Sequence, residues 1–112
     1  LQFTASWCSV CIREMPHLEN DVWQKFKNDD FVLIGIDRDE PIQVVKAFKR
    51  KTGITYPIAL DPSAKHFSKF AHVNAGITRN VVIDKNGKIV FLTRLFDEQE
   101  FQKMIEKIKE II

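Results

Sequence analysis

The sequence predicts a single α/β domain in which helices cover both faces of a mixed β-sheet. The apolar run Phe31–Ile36 is bounded by aspartates on both sides, which is typical of a strand buried on both faces. Strand-like and helical segments alternate along the first two thirds of the chain, and a hairpin and a closing helix follow. With 112 residues, 45% of them hydrophobic and 29% charged, the chain is long enough for one core and too short for two. We therefore predict one domain over residues 1–112.

Charge and hydropathy argue against two classes of partner. The formal net charge is +2, from 17 basic and 15 acidic residues, which is too balanced to indicate a nucleic-acid or membrane-surface binder. The longest apolar run is far too short to cross a bilayer. The chain begins with Leu1, and its first residues already resemble the end of a strand, so we expect a fragment of a longer polypeptide. Membrane association would then require an anchor upstream of this sequence.

The first helix is predicted to run from about Ser9 to Lys27. Its apolar positions recur mostly at the spacing of a helix that buries one face. These positions are Val10, Met15, Leu18, Val22, Trp23 and Phe26. Pro16 lies inside the segment and removes one backbone hydrogen bond, so we expect a kink near Arg13 to Met15.

A second helix and a second strand are predicted in the middle of the chain. The helix starts with Pro41 at its first position and Asp39 as a possible cap, and it ends at Gly53. Tyr56–Leu60 has the composition of a short strand, and a brief helix is expected to begin at Pro62. The apolar side chains that this brief helix should bury are Phe67 and Phe70.

The last third of the chain predicts a hairpin and a closing helix. Val81–Ile83 and Ile89–Leu92 are strand-like, and the segment Asp84–Gly87 between them is typical of a tight turn, so these strands should be antiparallel. The helix begins after Asp97, which can cap it while Glu100 reaches back. Its apolar face should cover the hairpin. That face consists of Phe101, Met104, Ile105, Ile108 and Ile112.

The feature that points most directly to function is a pair of cysteines, Cys8 and Cys11, where a strand gives way to a helix. The first sulfur would lie at the positive end of the helix, where a thiolate is favoured. Cys11 follows one turn later on the same helix face and can attack a mixed disulfide to release a partner. The pattern predicts thiol-disulfide exchange, with Cys8 as nucleophile and Cys11 as resolving thiol. No cofactor is expected beyond the redox-active disulfide Cys8–Cys11.

The cysteine pair has two other interpretations, a structural bridge and a zinc site. A structural bridge across two residues would remove little loop entropy, so stability alone is a poor reason for one. A zinc site would need four ligands, and the chain has no third cysteine. The histidines that would have to complete such a site match no familiar ligand spacing, so no metal site is predicted. They are His17, His66 and His72.

The cysteine motif and its surroundings resemble a known family. The matching residues are Trp7–Cys11, Glu14, Pro16, Asp37 at the end of a strand, and Val82–Lys88. On these the chain resembles the TlpA/ResA-type thiol-disulfide oxidoreductases of the thioredoxin-like superfamily. The resemblance implies a thioredoxin-like fold whose N-terminal strands are missing from this fragment. It also implies a bacterial, extracytoplasmic protein, in the periplasm or tethered to a membrane, that acts as a disulfide reductase.

The resemblance also implies roles for single residues. Cys8, Cys11 and Glu14 would be catalytic, since an acidic residue close to two thiols can raise their pKa and move protons. Trp7 would shield the sulfurs and bind substrate together with Ile77 and Thr78. A solvated charge for Glu14 and plain packing for Trp7 stay open as alternatives. The implied partners are a protein disulfide substrate and an upstream electron donor.

One position departs from the family pattern. Thioredoxin-like proteins usually place a cis-proline opposite the cysteines, and Thr78 stands there in the run Gly76–Asn80. A cis bond before a residue other than proline costs about 2.5 to 4 kcal/mol, so the Ile77–Thr78 bond is expected to be trans. A different loop shape would change how a substrate docks.

The missing proline leaves two further functions open. That proline tends to keep metals away from the sulfurs, so its loss raises the chance of a copper site formed by Cys8, Cys11 and His72. Peroxiredoxin-like proteins also lack the proline, and some carry an arginine nearby, as Arg79 would be here. Peroxide reduction ranks lower, because a peroxiredoxin does not require a second cysteine one turn after the first.

Overall fold

A computed structural model describes residues 1–112 and shows a five-stranded mixed sheet in the order β3-β2-β1-β4-β5. The strands are β1 (Gln2–Thr4), β2 (Gly35–Arg38), β3 (Ile58–Asp61), β4 (Arg79–Ile83) and β5 (Ile89–Arg94). The first three are parallel, whereas β4 runs antiparallel to both β1 and β5. β1 is therefore the central strand, and the segment that follows it leaves from the middle of the sheet. The predicted α/β class is confirmed.

Helical segments pack on both faces of this sheet. They are α1 (Ser9–His17), a π-helical segment (Leu18–Trp23), α2 (Gln24–Phe26), α3 (Ile42–Thr52), two 3-10 turns (Pro62–Ala64 and Phe67–Lys69) and α4 (Glu98–Ile111). No helix combines the length and the apolar character that crossing a membrane requires.

Alternate side chains of β1 divide the interior into two cores. Phe3 belongs to a smaller core with both cysteines, while its neighbours face a larger one: the Gln2 side chain accepts a hydrogen bond from the Tyr56 hydroxyl at 2.8 Å. The larger core joins the first helical region to α4. Its members include Met15, Leu18, Val22, Phe48, Phe101, Met104 and Ile105. The cysteines thus lie on the sheet face that carries the two 3-10 turns.

The strand predicted over Phe31–Ile36 is displaced. Residues 31–34 lie outside the sheet, and β2 begins only at Gly35. The carbonyl of Ile34 accepts a hydrogen bond from the Gln2 amide at 2.9 Å, but Val32 is 60% exposed. The apolar run does not show where β2 begins, because the length over which β2 pairs is limited by β1, which has only three residues.

The irregularity expected before Pro16 occurs after it. α1 includes Pro16, and the chain then continues into the π-helical turn that starts at Leu18. The Leu18 amide donates to the carbonyls of both Glu14 and Met15. A proline cannot donate in the helical ladder, so the ladder is rearranged around it without interrupting the helical path.

The cap predicted for the second helix is wrong. Pro41 occupies the cap position, and α3 starts at Ile42. Asp39 instead has a left-handed backbone, with φ of 55°, and its carboxylate accepts a hydrogen bond from the Ser63 amide at 2.8 Å. The predicted end of the helix at Gly53 is confirmed, since Gly53 has φ of 72°.

The next strand and brief helix are also shifted. β3 covers Ile58–Asp61, so Tyr56 precedes the strand. The helix expected from Pro62 is two separate 3-10 turns. The buried Asp61 carboxylate accepts hydrogen bonds from the amides of His66 and Phe67 at 2.8 and 2.9 Å, which fixes the second turn. Phe67 is fully buried, as predicted, and the other aromatic of the pair is half-buried.

The hairpin and the closing helix are confirmed with two corrections. Asp97 caps α4 through a 2.9 Å hydrogen bond from the Glu100 amide, but the Glu100 carboxylate accepts from the Arg94 amide at 3.2 Å and does not reach back to the cap residue. Ile112 lies beyond the end of α4 and is exposed, so it is not part of the buried face. The other predicted members of that face are buried.

Candidate active site

The two cysteines form a disulfide across the first turn of α1. Cys8 is the cap residue, and its sulfur accepts a hydrogen bond from the Cys11 amide at 3.3 Å. The Cα atoms are 5.3 Å apart, and Cys8 retains 9% of its surface exposed while Cys11 is completely buried. A sulfur at the start of a helix is favoured as a thiolate by the helix dipole and the free amides. Only Cys8 is therefore accessible to a partner.

The Thr78 hydroxyl contacts both sulfurs. Its Oγ1 lies 3.3 Å from Cys8 Sγ and 3.2 Å from Cys11 Sγ, and the side chain is buried. The Ile77–Thr78 bond is trans, as predicted, because the chain contains no cis peptide bond. Ile77 is buried and packs in the same small core as the cysteines. The structure therefore brings both predicted loop residues to the disulfide.

Glu14 lies one turn after Cys11 and is almost completely buried, so the alternative of a solvated charge is wrong. Its Oε2 accepts a hydrogen bond from the Asn80 side chain at 2.9 Å, and its Oε1 has no partner within the protein. Burial raises the pKa of Glu14 to about 7; the Asn80 hydrogen bond opposes this rise and the Glu100 carboxylate adds to it. Residues three apart on a helix lie on neighbouring turns of one face, so this proton-binding group is one turn from Cys11.

Trp7 stands at the surface next to the disulfide. Its side chain is 63% exposed, so plain packing does not explain it. The Arg38 guanidinium lies over the indole, 5.7 Å from the ring centroid, and also donates to the Ala75 carbonyl at 3.2 Å. Trp7 thus offers an exposed aromatic surface beside the accessible sulfur, and its predicted role in shielding the sulfurs stays a prediction.

Sequence reasoning missed a carboxylate that holds the loop before the cysteines. Glu40 accepts two hydrogen bonds from Ser6, one from its amide at 2.7 Å and one from its hydroxyl at 2.5 Å. Burial acts against ionisation, but hydrogen bonds from Asp37 and Ser6 together hold the pKa of Glu40 below its ordinary value. Because β1 and β2 are parallel, their carboxyl ends meet at one edge of the sheet. The acidic residues that follow β2 in the sequence could therefore have been predicted to lie near the cysteine loop.

Asp37 is the buried partner of this carboxylate. It lies opposite Thr4 in the parallel pairing, and neither of its oxygens receives a hydrogen bond from an N–H or hydroxyl group. Burial raises the pKa of Asp37 to about 8, and the neighbouring Glu40 adds to the rise. A protonated Asp37 can donate to Glu40, and the pair then shares one proton.

The copper and peroxide alternatives depend on His72 and Arg79, and both residues make their hydrogen bonds away from the cysteines. His72 is exposed, and its Nδ1 accepts a hydrogen bond from the Asn74 amide at 3.1 Å. No three or more Asp, Glu, His or Cys side chains form a group that could hold a metal ion. The Arg79 side chain donates to the Gly76 carbonyl at 3.3 Å and makes no hydrogen bond to either cysteine.

Comparison with known proteins places the chain in a family. The model of the family described as Redoxin matches residues 1–112. The chain belongs to the redoxin family. This match spans the strand before the cysteines, the cysteine pair itself and the loop that carries Thr78.

Individual proteins of known sequence or structure are also similar to the chain. The chain is 30% identical over 111 residues to the thiol-disulfide oxidoreductase ResA of Bacillus anthracis, covering 99% of this chain and 61% of that protein. It is 58% identical to a proposed protein disulfide isomerase from Bacteroides thetaiotaomicron, with a TM-score of 0.94 over 98% of this chain and 70% of the other. A proposed thiol:disulfide interchange protein DsbE from Chlorobium tepidum has the same fold, at 22% identity and a TM-score of 0.84, covering 98% and 76% of the two chains.

These comparisons agree with the site. They confirm the thioredoxin-like fold, and the resemblance to ResA-type proteins predicted from the cysteine motif is confirmed as well. The ResA relatives are named as thiol-disulfide oxidoreductases. The chain spans about three fifths of the length of its ResA relatives, 61% in the case above.

Proposed function

We propose that this domain reduces protein disulfides through the Cys8/Cys11 couple. The observation that carries the proposal is the disulfide across the first turn of α1, with one sulfur at the surface and the other buried. That asymmetry supports Cys8 as the entering thiol and Cys11 as the resolving thiol, independently of any relative. The ResA relatives, which are named as thiol-disulfide oxidoreductases, support the same activity.

The reaction follows from this asymmetry. In the reduced protein the Cys8 thiolate attacks one sulfur of a substrate disulfide, the substrate S–S bond breaks, and the first substrate thiol leaves with a proton from solvent. Cys11 then loses its proton and attacks Cys8 Sγ, which forms the Cys8–Cys11 disulfide and releases the second substrate sulfur as a thiolate that takes a proton from solvent. Two electrons pass to the substrate, and an external dithiol protein must restore the reduced state.

Glu14 is proposed to accept the proton that Cys11 loses. A carboxyl group whose pKa burial raises to about 7 binds and releases protons at neutral pH, and its Oε1 is free of hydrogen bonds. The exposed Trp7 and the loop of Ile77 and Thr78 flank the accessible sulfur and would contact the substrate. The proposed working compartment is outside the cytoplasm of a bacterium, as the resemblance to TlpA/ResA-type proteins implies.

Serine variants of the two cysteines test the assignment. Cys8→Ser should lose all disulfide reductase activity, while Cys11→Ser should still attack a disulfide and accumulate mixed disulfides that gel mobility and mass reveal. The double variant Cys8→Ser/Cys11→Ser is the matched control and should trap nothing. Disulfide reductase activity retained by Cys8→Ser would show that the nucleophile is wrongly assigned.

A further inference from the structure

The one hydroxyl group in hydrogen-bonding contact with the disulfide sulfurs belongs to Thr78, and it has no other hydrogen-bonding partner. Its Oγ1 is 3.3 Å from Cys8 Sγ and 3.2 Å from Cys11 Sγ. Disulfide sulfurs carry no hydrogen, so in this oxidised state the hydroxyl is the donor and the sulfurs are acceptors. A hydrogen bond to a charged acceptor is much stronger than one to a neutral acceptor, so the same contact strengthens when either sulfur becomes a thiolate.

The backbone holds this hydroxyl in place. Thr78 is 3% exposed, and its carbonyl accepts a hydrogen bond from the Leu95 amide at 2.8 Å. The next residue, Arg79, begins β4 and pairs with Phe3 of the central strand, the strand that leads into the cysteine loop. The hydroxyl therefore sits on a sheet-anchored segment and reaches the sulfurs without reorganisation.

We propose that Thr78 is a catalytic hydrogen-bond donor that stabilises the reactive thiolate, first on Cys8 and then on Cys11. This inference rests on the thiol-disulfide exchange proposed above and assigns a further group to it. The hydroxyl keeps its own proton throughout. It donates to Cys8 Sγ before that sulfur attacks the substrate disulfide, and to Cys11 Sγ when that sulfur is deprotonated and attacks Cys8.

The near-equal distances explain why one group can serve both steps. The hydroxyl needs only a rotation about its Cβ–Oγ1 bond to turn its hydrogen from one sulfur to the other. A proline at this position would have no donor to offer either sulfur. The departure from the family pattern is therefore a gain of a polar group at the reacting atoms.

Thr78→Val tests the proposal, because valine has nearly the shape of threonine without the hydroxyl. The rate of Cys8 alkylation by iodoacetamide is followed against pH in the reduced protein, with the labelled position identified by mass. We expect the midpoint of this profile to rise by about one pH unit, a tenfold loss of thiolate at neutral pH, as removal of a hydrogen bond to a charged group predicts. The potential of the couple should become more negative by about 30 mV for each tenfold change.

Thr78→Ser is the matched control, since it retains the hydroxyl and should keep the wild-type midpoint and potential. Iodoacetamide is too small to need the docking surface, so a role of Thr78 in substrate binding alone would leave all three profiles the same and overturn the proposal. A serine variant that shifts as far as the valine variant would overturn it too. Thr78→Ala replaces the valine variant if circular dichroism shows the latter unfolded.

A redox titration of the wild-type protein separates the role of Thr78 from the proposed disulfide exchange. The wild-type protein is titrated first in glutathione or dithiothreitol buffers. A wild-type protein with a reversible couple, together with a valine variant of unchanged alkylation profile, removes the role of Thr78 and leaves disulfide exchange intact. A wild-type protein without any reversible couple removes both.

Discussion

At the scale of single residues, the chemistry depends on the different environments of two cysteines and one carboxyl group. Cys8 is accessible at the start of a helix, whereas Cys11 is buried one turn later. Glu14 is buried one turn after Cys11, and burial raises its pKa to about 7. In the proposed exchange, these three environments would favour a thiolate on Cys8 and a proton acceptor one turn from Cys11.

The proposed role of Glu14 as proton acceptor for Cys11 predicts a specific pH profile. Glu14→Gln keeps the shape and the hydrogen bond with Asn80 but cannot take a proton, so the release of trapped substrate by Cys11 should slow by about tenfold to a hundredfold at pH 7. The inflection near pH 7 in the rate of that step should disappear. Stopped-flow measurement of the resolving step from pH 5 to 9 checks this, and an unchanged inflection would assign the proton to another group.

The sequence identified the cysteine motif and, through the family resemblance, the loop residues Ile77 and Thr78. Cys8 caps α1, and Cys11 and Glu14 lie within it, so their spacing alone places them on neighbouring turns. Glu40 and Asn80 could not be found in this way, because each reaches the site from another part of the sheet. Their contacts depend on strand order and register, which no local pattern encodes.

At the scale of elements, the loop between β1 and α1 is held by the turn after β2. Glu40 follows β2 and binds both the amide and the hydroxyl of Ser6, two residues before Cys8. Because hydrogen bonds to a charged group are strong, this contact fixes the path by which the chain enters the cysteine helix.

Removal of this contact should loosen the loop. Glu40→Ala is expected to lower the free energy of unfolding by about 1 to 3 kcal/mol, since two charge-assisted hydrogen bonds are lost. Amide hydrogen exchange at Ser6 should accelerate. Glu106→Ala, on the exposed side of α4, is the control and should change neither quantity. Equal exchange rates at Ser6 in both variants would mean that the loop is held by other contacts.

The sequence predicted the type of each element better than the residues at which each element begins. The alternation of strands and helices was predicted, but β2 begins at Gly35 because β1 offers it only three pairing partners. α3 begins at Ile42 because Asp39 is held by Ser63, and a contact between distant segments cannot be inferred from capping propensity.

At the scale of the whole molecule, two buried carboxyl groups make stability depend on pH. Burial raises the pKa of Glu14 from 4.5 to about 7 and that of Asp37 from 3.8 to about 8. Between these values the folded protein binds more protons than the unfolded chain, so stability falls as pH rises. The stabilisation that the two protonated carboxyl groups contribute is fully present below about pH 4 and is lost by about pH 8. The pKa of Glu40 is lowered in the folded protein, so the stabilisation that Glu40 contributes is lost as pH falls in the acid range.

The oxidised protein should therefore unfold at lower urea concentration at pH 8.5 than at pH 5. Asp37→Asn should reduce this difference by at least the ~1.4 kcal/mol that one unit of pKa shift represents, since the asparagine cannot ionise. Urea titrations of both proteins at the two pH values measure the effect. If the variant and the wild-type protein lose stability equally over this range, Asp37 is not the group responsible.

An equilibrium redox titration of the purified domain in dithiothreitol and glutathione buffers, with thiols counted by alkylation and mass, tests the proposed reduction of protein disulfides. A domain that reduces protein disulfides should show one reversible two-electron transition, assigned to Cys8 and Cys11, well below about −220 mV. A transition near −120 mV would contradict the direction of electron transfer. Thiols that stay free, or a disulfide that stays closed, across all buffers would contradict the redox function itself.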